Sequence, residues 1–267
     1  MMVNEKYKEL TSILQEMKSV VVAFSGGVDS TFLLKVAVDT LGANQVLAVT
    51  ADSETYPSSE LTEAKELARK IGAKHLVIET SELAIPGYAE NNKNRCYFCK
   101  SSLFEHLIPL LEGRRFKNII YGLIADDLNE HRPGIQAAKE KGIRGPLQEA
   151  NLFKEEIREL SRDLDLPTWN KPSFACLSSR IAYGEKITKE KLTKVEKAEA
   201  YLKTFNILQV RVRTHQEIAR IEVERNDMKL ILDNHESISK ELKKIGYQYI
   251  TLDLIGYQSG SMNKVLS

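Results

Sequence analysis

The segment Ser25-Gly-Gly-Val-Asp-Ser30 lies between two segments of different character, and it limits the possible fold more than any other part of the sequence. Residues 19–24 form a short apolar run rich in β-branched side chains, which predicts a buried parallel strand. Residues 31–41 have apolar side chains at helical spacing and precede Gly42, which predicts a helix. A strand, a turn and a helix start bring unpartnered backbone N–H groups together, so we expect an anion-binding site here.

The residues of this loop indicate an oxygen-rich, negatively charged ligand. Gly26 and Gly27 lack a Cβ atom, so the backbone can curl and approach such a ligand closely. Asp29 is unexpected in a phosphate cradle, and a bound Mg²⁺ beside the phosphates would explain it. A turn that merely joins a strand to a helix is the alternative. Further hydroxyl donors are provided by Ser25, Ser30 and Thr31.

The loop differs from the two commoner phosphate-binding loops. It contains neither Gly-x-x-x-x-Gly-Lys-Ser/Thr nor Gly-x-Gly-x-x-Gly. The pattern Ser-Gly-Gly-x-Asp-Ser after a first strand resembles the PP-loop of ATP pyrophosphatases. That resemblance implies that ATP is held by its β- and γ-phosphates, while its α-phosphorus stays open to attack.

Strands and helices alternate through the first part of the chain. Such alternation predicts a parallel α/β sheet with right-handed crossovers, in which ligands bind at the carboxyl ends of the strands. We therefore expect Ser53, Gly122 and Asp127 to lie with the loop along one edge of the sheet. The further predicted strands are 45–50, 75–79 and 118–122, and the further predicted helices are 4–17, 58–71, one from Cys96 through Leu107 and one ending near Leu164.

The character of the sequence changes beyond about residue 184. Pro167 and Pro172 bracket an extended linker, and a small α+β domain is predicted after it. Its predicted elements are a helix at 188–204, strands at 208–213 and 218–223, a helix near 226–245 and a last strand at 247–253. We therefore predict a PP-loop domain over 1–183 and a smaller domain over 184–267.

Composition limits the classes of function. The chain has 38 lysines and arginines against 37 acidic residues, so its formal net charge is +1 and nucleic acid is not an expected partner. No apolar run approaches the ~18 residues of a membrane span, and the N-terminus does not read as a signal peptide. We expect a soluble, cytoplasmic protein without a membrane partner.

Three cysteines are present, Cys96, Cys99 and Cys176, and an odd number in a cytosolic protein favours metal or redox chemistry over disulfides. A structural zinc site usually has four ligands, so His106 or His131 would have to complete it. A Cys-x-x-Cys redox couple leaves Cys176 unexplained, and inert buried thiols are a further alternative. A [4Fe–4S] cluster on three thiolates fits the count, and its open iron would bind a substrate or an exogenous sulfur atom.

Several charged residues are candidates for binding an anion or a metal ion. Arg211 and Arg213 alternate along one predicted strand, and arginine forks match phosphate oxygens, although solvated strand arginines are the alternative. Arg180 ends the segment that follows the third cysteine. Lys100 lies in the first turn of a predicted helix, where a cation is unfavourable, which suggests that it faces a bound anion; a solvated lysine is the alternative. Glu222 is a candidate metal ligand or the partner of a neighbouring arginine.

Taken together, these motifs resemble those of the LarE family of ATP-dependent sulfur transferases, and the likeness covers nearly the whole chain. The C-terminal motifs are the ones that distinguish this family, because the loop alone would also fit NAD⁺ synthetases, GMP synthetases and tRNA-thiolating enzymes. The matching segments are 25–30, 126–134, 146–149, 169–171, 176–184, 210–213, 218–222 and 251–254 with Gly256.

The resemblance implies a reaction. The family makes the organic part of the nickel-pincer nucleotide of lactate racemase, by converting pyridinium-3,5-biscarboxylic acid mononucleotide to the bisthiocarboxylic acid. Each carboxylate is activated as an acyl-adenylate with release of pyrophosphate, and then accepts sulfur. By the same resemblance, Arg211 and Arg213 hold the phosphate of the substrate. Our candidate catalytic residues are Asp29, Lys100, Cys176 and Arg180.

The source of the sulfur divides this family. Some members sacrifice the sulfur of a single cysteine, whereas three-cysteine members are thought to hold a [4Fe–4S] cluster whose open iron carries a sulfide. Cys96, Cys99 and Cys176 match the second kind. Sulfide or another sulfur donor is then an expected partner, and a homo-oligomer is expected. The alternatives are a cluster-dependent tRNA thiolase and a regulatory module that binds ATP without chemistry.

Overall fold

A computed structural model describes residues 2–112, 116–129 and 133–262. His131, a candidate zinc ligand, and part of segment 126–134 lie outside the described residues. None of the described helices is long and apolar enough to cross a membrane. The helices are α1 (Val3–Met17), α2 (Val28–Leu41), α3 (Ser58–Ile71), α4 (Arg95–Leu107), α5 (Pro109–Glu112), α6 (Pro133–Glu140), α7 (Pro146–Glu149), α8 (Lys154–Asp163), α9 (Lys189–Lys203), α10 (Met228–Asp233) and α11 (His235–Ile245). The strands are β1 (Val20–Ala23), β2 (Val46–Asp52), β3 (Lys74–Glu79), β4 (Asn118–Tyr121), β5 (Val210–His215), β6 (Ile218–Val223) and β7 (Tyr249–Leu252).

The first compact unit comprises Met1–Thr80 and Cys96–Phe174. Its described strands are all parallel and lie in the order β3-β2-β1-β4. β1 lies inside the sheet, and its residues Val20, Val21 and Val22 are fully buried. Burial on both faces is typical of parallel strands covered by helices. The predicted parallel α/β sheet is therefore confirmed.

Helix α2 holds the loop in place because it is buried around most of its surface. Phe32, Leu33 and Leu34 are fully buried and share one core with Leu10 and Leu14 of α1. Burying each such side chain contributes roughly 1.5–3 kcal/mol. This packing fixes where the first turn of α2 lies, and with it the end of the loop.

The second compact unit comprises Ser81–Arg95 and Ala175–Ser267. Its described strands form a mixed sheet in the order β5-β6-β7, antiparallel between β5 and β6 and parallel between β6 and β7. Leu202 of α9 and Leu242 of α11 lie in the core formed with this sheet. The predicted smaller α+β domain is confirmed, whereas the boundary between residues 183 and 184 stays a prediction.

Residues 81–95 belong to the second unit through hydrogen bonds that no sequence pattern reveals. Tyr88 Oη donates to Ser178 Oγ at 2.8 Å, and Asn91 Nδ2 donates to the Ile181 carbonyl at 3.1 Å. The Arg95 guanidinium donates to the Ser178 carbonyl at 3.0 Å. This segment therefore supports the backbone that follows the third cysteine.

One predicted helix is interrupted. The helix expected near 226–245 consists of α10 and α11, because Asn234 between them leaves the helical region at φ −110° and ψ 18°. Its Nδ2 donates to the Leu230 carbonyl at 2.8 Å, so the side chain caps α10. The helix predicted to end near Leu164 is confirmed as α8, which begins after the extended backbone of Phe153.

Candidate functional site

The two glycines of loop 25–30 let the loop backbone pass close to α3 and lead directly into α2. Gly26 has a φ of +64°, and a Cβ atom there would lie 3.2 Å from Ala64 Cβ on α3. Gly27 has an extended backbone and immediately precedes α2. A side chain at position 26 would be both strained and crowded. The first N–H groups of α2 lack carbonyl partners within the helix and are directed out of its end.

The three hydroxyl residues of the loop lie in different environments. Ser25 Oγ and Ser30 Oγ are 3.1 Å apart, and Ser30 Oγ accepts the Ser25 N–H at 3.3 Å. Thr31 is fully buried, and its Oγ1 has no hydrogen-bond partner among the described residues. Ser25 is exposed. The two serines thus close the turn through their hydroxyls, and Ser25 is the exposed member of the pair.

The end of β4 lies directly against the loop. A Cβ atom at Gly122 would lie 3.0 Å from the backbone nitrogen of Ser30 and 3.3 Å from Asp29 Cβ. The Ser30 nitrogen belongs to buried backbone, which cannot shift unless its neighbours shift too, because protein interiors are close-packed. Gly122 therefore sets how closely β4 approaches the start of α2, and the structure brings it together with the loop as predicted.

Ser53 and Asp127 follow β2 and β4, at the carboxyl ends of two parallel strands. Close to Ser53, Tyr56 donates its hydroxyl to the Ser25 carbonyl at 2.9 Å. Burial raises the pKa of Tyr56 well above its usual value, so this group remains a donor. Asp127 is buried, and its carboxylate accepts the Ile124 N–H at 3.2 Å. Nucleotide contacts by Ser53 and Asp127 stay predictions.

The acid of the loop, Asp29, is bound by a lysine that the sequence analysis did not identify. Lys154 Nζ lies 2.7 and 2.8 Å from the two Asp29 carboxylate oxygens. The Lys154 N–H donates to Asp126 Oδ2 at 2.8 Å. Lys154 is the first residue of α8, where the helix dipole disfavours a cation. Lys100 was predicted in a first turn, but α4 begins at Arg95, so Lys100 is its sixth residue and the dipole argument does not apply to it.

A second lysine supports the loop from the side of α3. Lys171 Nζ lies 2.7 Å from Glu60 Oε2, 2.8 Å from Glu63 Oε2 and 3.3 Å from the Gly26 carbonyl. Arg158 of α8 donates to the Lys171 carbonyl at 3.0 Å. These contacts hold the Gly26 peptide with its oxygen toward the lysine. The sequence marked segment 169–171 only by its resemblance to the family.

The cysteines lie in two places. Cys96 is exposed and Cys99 is half-buried in the first turns of α4, in the first unit. Lys100 follows them, with its Nζ 6.0 Å from the centroid of a phenylalanine ring on the same helix. Cys176 is half-buried in the second unit, directly before a 3₁₀ turn that ends at Arg180. Over residues 2–112, 116–129 and 133–262, no three histidine, cysteine or acidic side chains are grouped as a metal site. Metal binding by the cysteines stays a prediction.

Arg180, a candidate catalytic residue, is 1% exposed and is held inside the second unit. Its Nε and Nη2 lie 2.9 and 3.0 Å from the two carboxylate oxygens of Glu199. Its Nη1 donates to the carbonyls of Ala175 and Cys176. Glu199 also accepts the Val212 N–H at 3.0 Å. Arg180 therefore ties the backbone of the third cysteine to α9, and its contact with substrate stays a prediction.

Arg213 and Glu222 form a buried ion pair between β5 and β6. Arg213 Nε donates to Glu222 Oε2 at 2.9 Å, and the Glu222 side chain is only 1% exposed. Arg220 Nη2 lies 3.1 Å from the other Glu222 oxygen, which also accepts from the Ser261 hydroxyl at 3.1 Å. The structure therefore pairs Glu222 with arginines, and its role as a metal ligand stays a prediction.

Arg211 lies on the same strand in a different environment. It is buried, and its guanidinium carbon lies 5.5 Å from the centroid of the Tyr257 ring. Burial and the neighbouring charge of Arg180 lower the pKa of Arg211 to about 10. At neutral pH the guanidinium keeps its charge, and its Nη1 donates to the Val210 carbonyl at 2.8 Å. An anion placed beside Arg211 would therefore be bound favourably.

Comparison with known proteins places the chain in a family. The NAD synthase family profile matches residues 2–96. An uncharacterized protein of Synechocystis sp. is 45% identical over the full length of both chains. The pyridinium-3,5-bisthiocarboxylic acid mononucleotide synthase of Lactiplantibacillus plantarum is 36% identical over 98% of this chain and 95% of its own. The chain belongs to the LarE family. The predicted resemblance is thereby confirmed at the level of the family, and so is the prediction of an ATP-dependent enzyme.

The similarity extends more weakly to other proteins with this loop. One of the subunits of the glutamine-hydrolysing GMP synthase of Saccharolobus islandicus is 30% identical over 71% of this chain and 57% of its own. The two full-length relatives, in contrast, cover both compact units of this chain. Membership of the LarE family therefore includes the smaller α+β unit and not only the nucleotide-binding fold.

We expect Gly122→Ala to weaken the binding of ATP by about tenfold. The new methyl group would lie 3.0 Å from the Ser30 backbone nitrogen and would displace the loop amides. Titration calorimetry with a nonhydrolysable ATP analogue measures this. The control is Gly72→Ala at the end of α3, where φ is +81° and space is open. That variant costs roughly 1–2 kcal/mol of strain and should keep its ATP affinity. Equal ATP affinity in Gly122→Ala and the wild type would refute the role given to Gly122.

We expect Arg180→Met to lower the free energy of unfolding by about 3–5 kcal/mol, because Glu199 would be left buried without its partner. Urea denaturation followed by circular dichroism measures the change. The double variant Arg180→Met/Glu199→Gln should lose less than the sum of the two single variants. The control is Lys229→Met, which breaks an exposed ion pair with Asp233 and should leave stability unchanged. A loss for Arg180→Met no larger than that of the control would contradict the structural role.

Proposed function

We propose that this chain is an ATP-dependent sulfur transferase that converts pyridinium-3,5-biscarboxylic acid mononucleotide to the bisthiocarboxylic acid mononucleotide. The observation that carries the proposal is the full-length similarity to a synthase of that product, together with a PP-loop whose backbone geometry is intact. The substrate is then a small molecule. In this role the enzyme would act in the cytoplasm, in the maturation of a nickel-pincer enzyme such as lactate racemase.

ATP activates the substrate because a carboxylate is a poor acceptor for sulfur. A carboxylate oxygen attacks the α-phosphorus, pyrophosphate leaves, and the acyl-adenylate then has AMP as a good leaving group. The N–H groups at the start of α2, the loop backbone at Gly26 and Gly27 and the exposed Ser25 hydroxyl fit the phosphates. Asp29 supplies the oxygen ligands that Mg²⁺ prefers. Fixed N–H dipoles of this kind stabilise the charge that develops on departing pyrophosphate.

The phosphate of the substrate is assigned to the second unit. Arg211 is the stronger candidate, because burial and the charge of Arg180 lower its pKa, and a bound anion would offset both effects. Arg213 already shares its charge with the buried carboxylate of Glu222. We therefore assign the direct phosphate contact to Arg211, while Arg213 and Glu222 keep β5 and β6 in register around it.

The sulfur is assigned to a [4Fe–4S] cluster on Cys96, Cys99 and Cys176. Thiolates are the usual ligands of such clusters, and three of them leave one iron open. Cys96 is exposed, and Cys99 and Cys176 are half-buried. A cluster held by these three cysteines would supply sulfide for the bond to the acyl carbon, with AMP as the leaving group. Sulfide or another donor would replace the sulfur used in each turnover.

One alternative stays open and another loses support. Zinc would need a fourth ligand, and His106, at the end of α4, has its Nδ1 2.8 Å from the Ser102 carbonyl, which leaves Nε2 for a metal ion. A tRNA thiolase would be expected to show a strong positive charge, whereas the formal net charge is +1. Sacrifice of the Cys176 sulfur is the remaining rival for the sulfur source. The homo-oligomer expected from the sequence stays a prediction.

Anaerobic purification followed by turnover tests the function and the sulfur source together. We expect a broad absorption near ~400 nm, with about four irons and four sulfides per chain. With ATP, Mg²⁺, the dicarboxylate mononucleotide and excess sulfide, each chain should release many molecules of the thiocarboxylate and of pyrophosphate. The intact mass of the protein should not change, because no cysteine is consumed. Mass spectrometry of the protein and of the small molecules measures both.

The matched variants are Cys176→Ala and Ser179→Ala, three residues apart in the same segment. Cys176→Ala should lose most of its iron and its thiocarboxylate product, and Ser179→Ala should keep its iron. One product per chain, accompanied by dehydroalanine at Cys176, would refute the cluster as the sulfur source but not the reaction. Absence of thiocarboxylate and of pyrophosphate from a protein that binds ATP would refute the reaction itself.

A further inference from the structure

Lys154 forms an ion pair with Asp29, the one acidic residue of loop 25–30. Its Nζ lies 2.7 Å from one Asp29 oxygen and 2.8 Å from the other. We propose that Lys154 is a binding residue for the triphosphate of ATP, and that it exchanges Asp29 for the phosphates when Mg²⁺ binds Asp29. The proposal rests on the use of ATP in the proposed function, and it adds a binding residue to that site.

The place of Lys154 on its helix points to an anionic partner. It is the first residue of α8, where the positive end of the helix dipole disfavours a cation. Glu155 and Glu156 follow it in the first turn, as that dipole favours. At this position a lysine side chain is stabilised only when a negative charge lies close to it. Asp29 provides that charge in the structure, and a triphosphate would provide more.

The backbone holds Lys154 in place independently of its side chain. The Lys154 N–H donates to Asp126 Oδ2 at 2.8 Å. One turn later, Ile157 is fully buried in the core of the first unit, and Leu160 is also buried there. The side chain therefore starts from a fixed point beside the loop. It can change partner by rotating its own bonds, without movement of α8.

The pair with Asp29 is of a kind that exchanges partners easily. Its two side chains are 30% and 25% exposed, and partly exposed ion pairs add little to stability. Mg²⁺ prefers carboxylate oxygens, and an ammonium group is a good partner for phosphate oxygens. Exchange of Asp29–Lys154 for Asp29–Mg²⁺ and Lys154–phosphate leaves every charge paired. The charges of Asp29 and Lys154 are therefore neutralised both before and after the exchange.

Titration calorimetry of the full chain with a nonhydrolysable ATP analogue, with Mg²⁺ and with chelator, tests the exchange. We expect Lys154→Met to weaken binding at least about tenfold under both conditions, because a direct charged contact is lost. Lys154→Arg should keep most of the affinity, since it keeps the charge. Asp29→Asn should lose the gain from Mg²⁺ but keep the metal-free affinity. Thermal unfolding confirms that each variant is folded.

Lys35→Met is the matched control. Lys35 binds both oxygens of Asp39 at 2.7 Å on the outside of α2, with exposures of 28% and 40%, so its loss should change neither affinity. If Lys154→Met bound the metal-free analogue as tightly as the wild type or more tightly, Lys154 would be only a counter-ion of Asp29 and the inference would be wrong. If the wild type bound no analogue at all, both the proposed use of ATP and this inference would be refuted.

Discussion

The site depends on how closely three pieces of backbone approach one another at the start of α2. Gly122, directly after β4, lies against the Ser30 nitrogen, and Gly26 lies against Ala64 of α3 at a positive φ. Because α2 is buried around most of its surface, its first turn cannot move away from either contact. The unpartnered N–H groups therefore stay aimed at one point. The chemistry proposed for the nucleotide depends on that fixed geometry.

Local patterns predicted the parts of the structure that local forces determine. The apolar run before the loop became β1, the helical spacing after it became α2, and the parallel order put Gly122 beside Ser30. Hydrogen bonds and ion pairs between distant residues were not predicted. Lys154 with Asp29, Lys171 with Glu60, and segment 81–95 with residues 178–181 leave no periodic signal. The break at Asn234 depends on one side-chain hydrogen bond, which helical periodicity does not encode.

The arginines show a different limit of sequence reasoning. Residue type alone could not separate phosphate binding from ion pairing, because a guanidinium serves both. The structure separates them by partner: Arg180 with Glu199 and Arg213 with Glu222 are buried ion pairs, and Arg211 lies over Tyr257 with a lowered pKa. Buried pairs of this kind contribute little net stability but fix one arrangement, since breaking them leaves a buried charge. Here they hold the segment after the third cysteine and the two strands beside it.

The central claim is that the carboxylate of the substrate attacks the α-phosphorus of ATP. Turnover with a dicarboxylate mononucleotide whose carboxylate oxygens carry a heavy isotope tests it most directly. If an acyl-adenylate forms and AMP then leaves, one heavy oxygen is transferred to the phosphate of AMP, and the pyrophosphate stays unlabelled. Mass spectrometry of the nucleotide products detects the transfer. Heavy oxygen in inorganic phosphate with formation of ADP, or AMP without any label, would contradict the account.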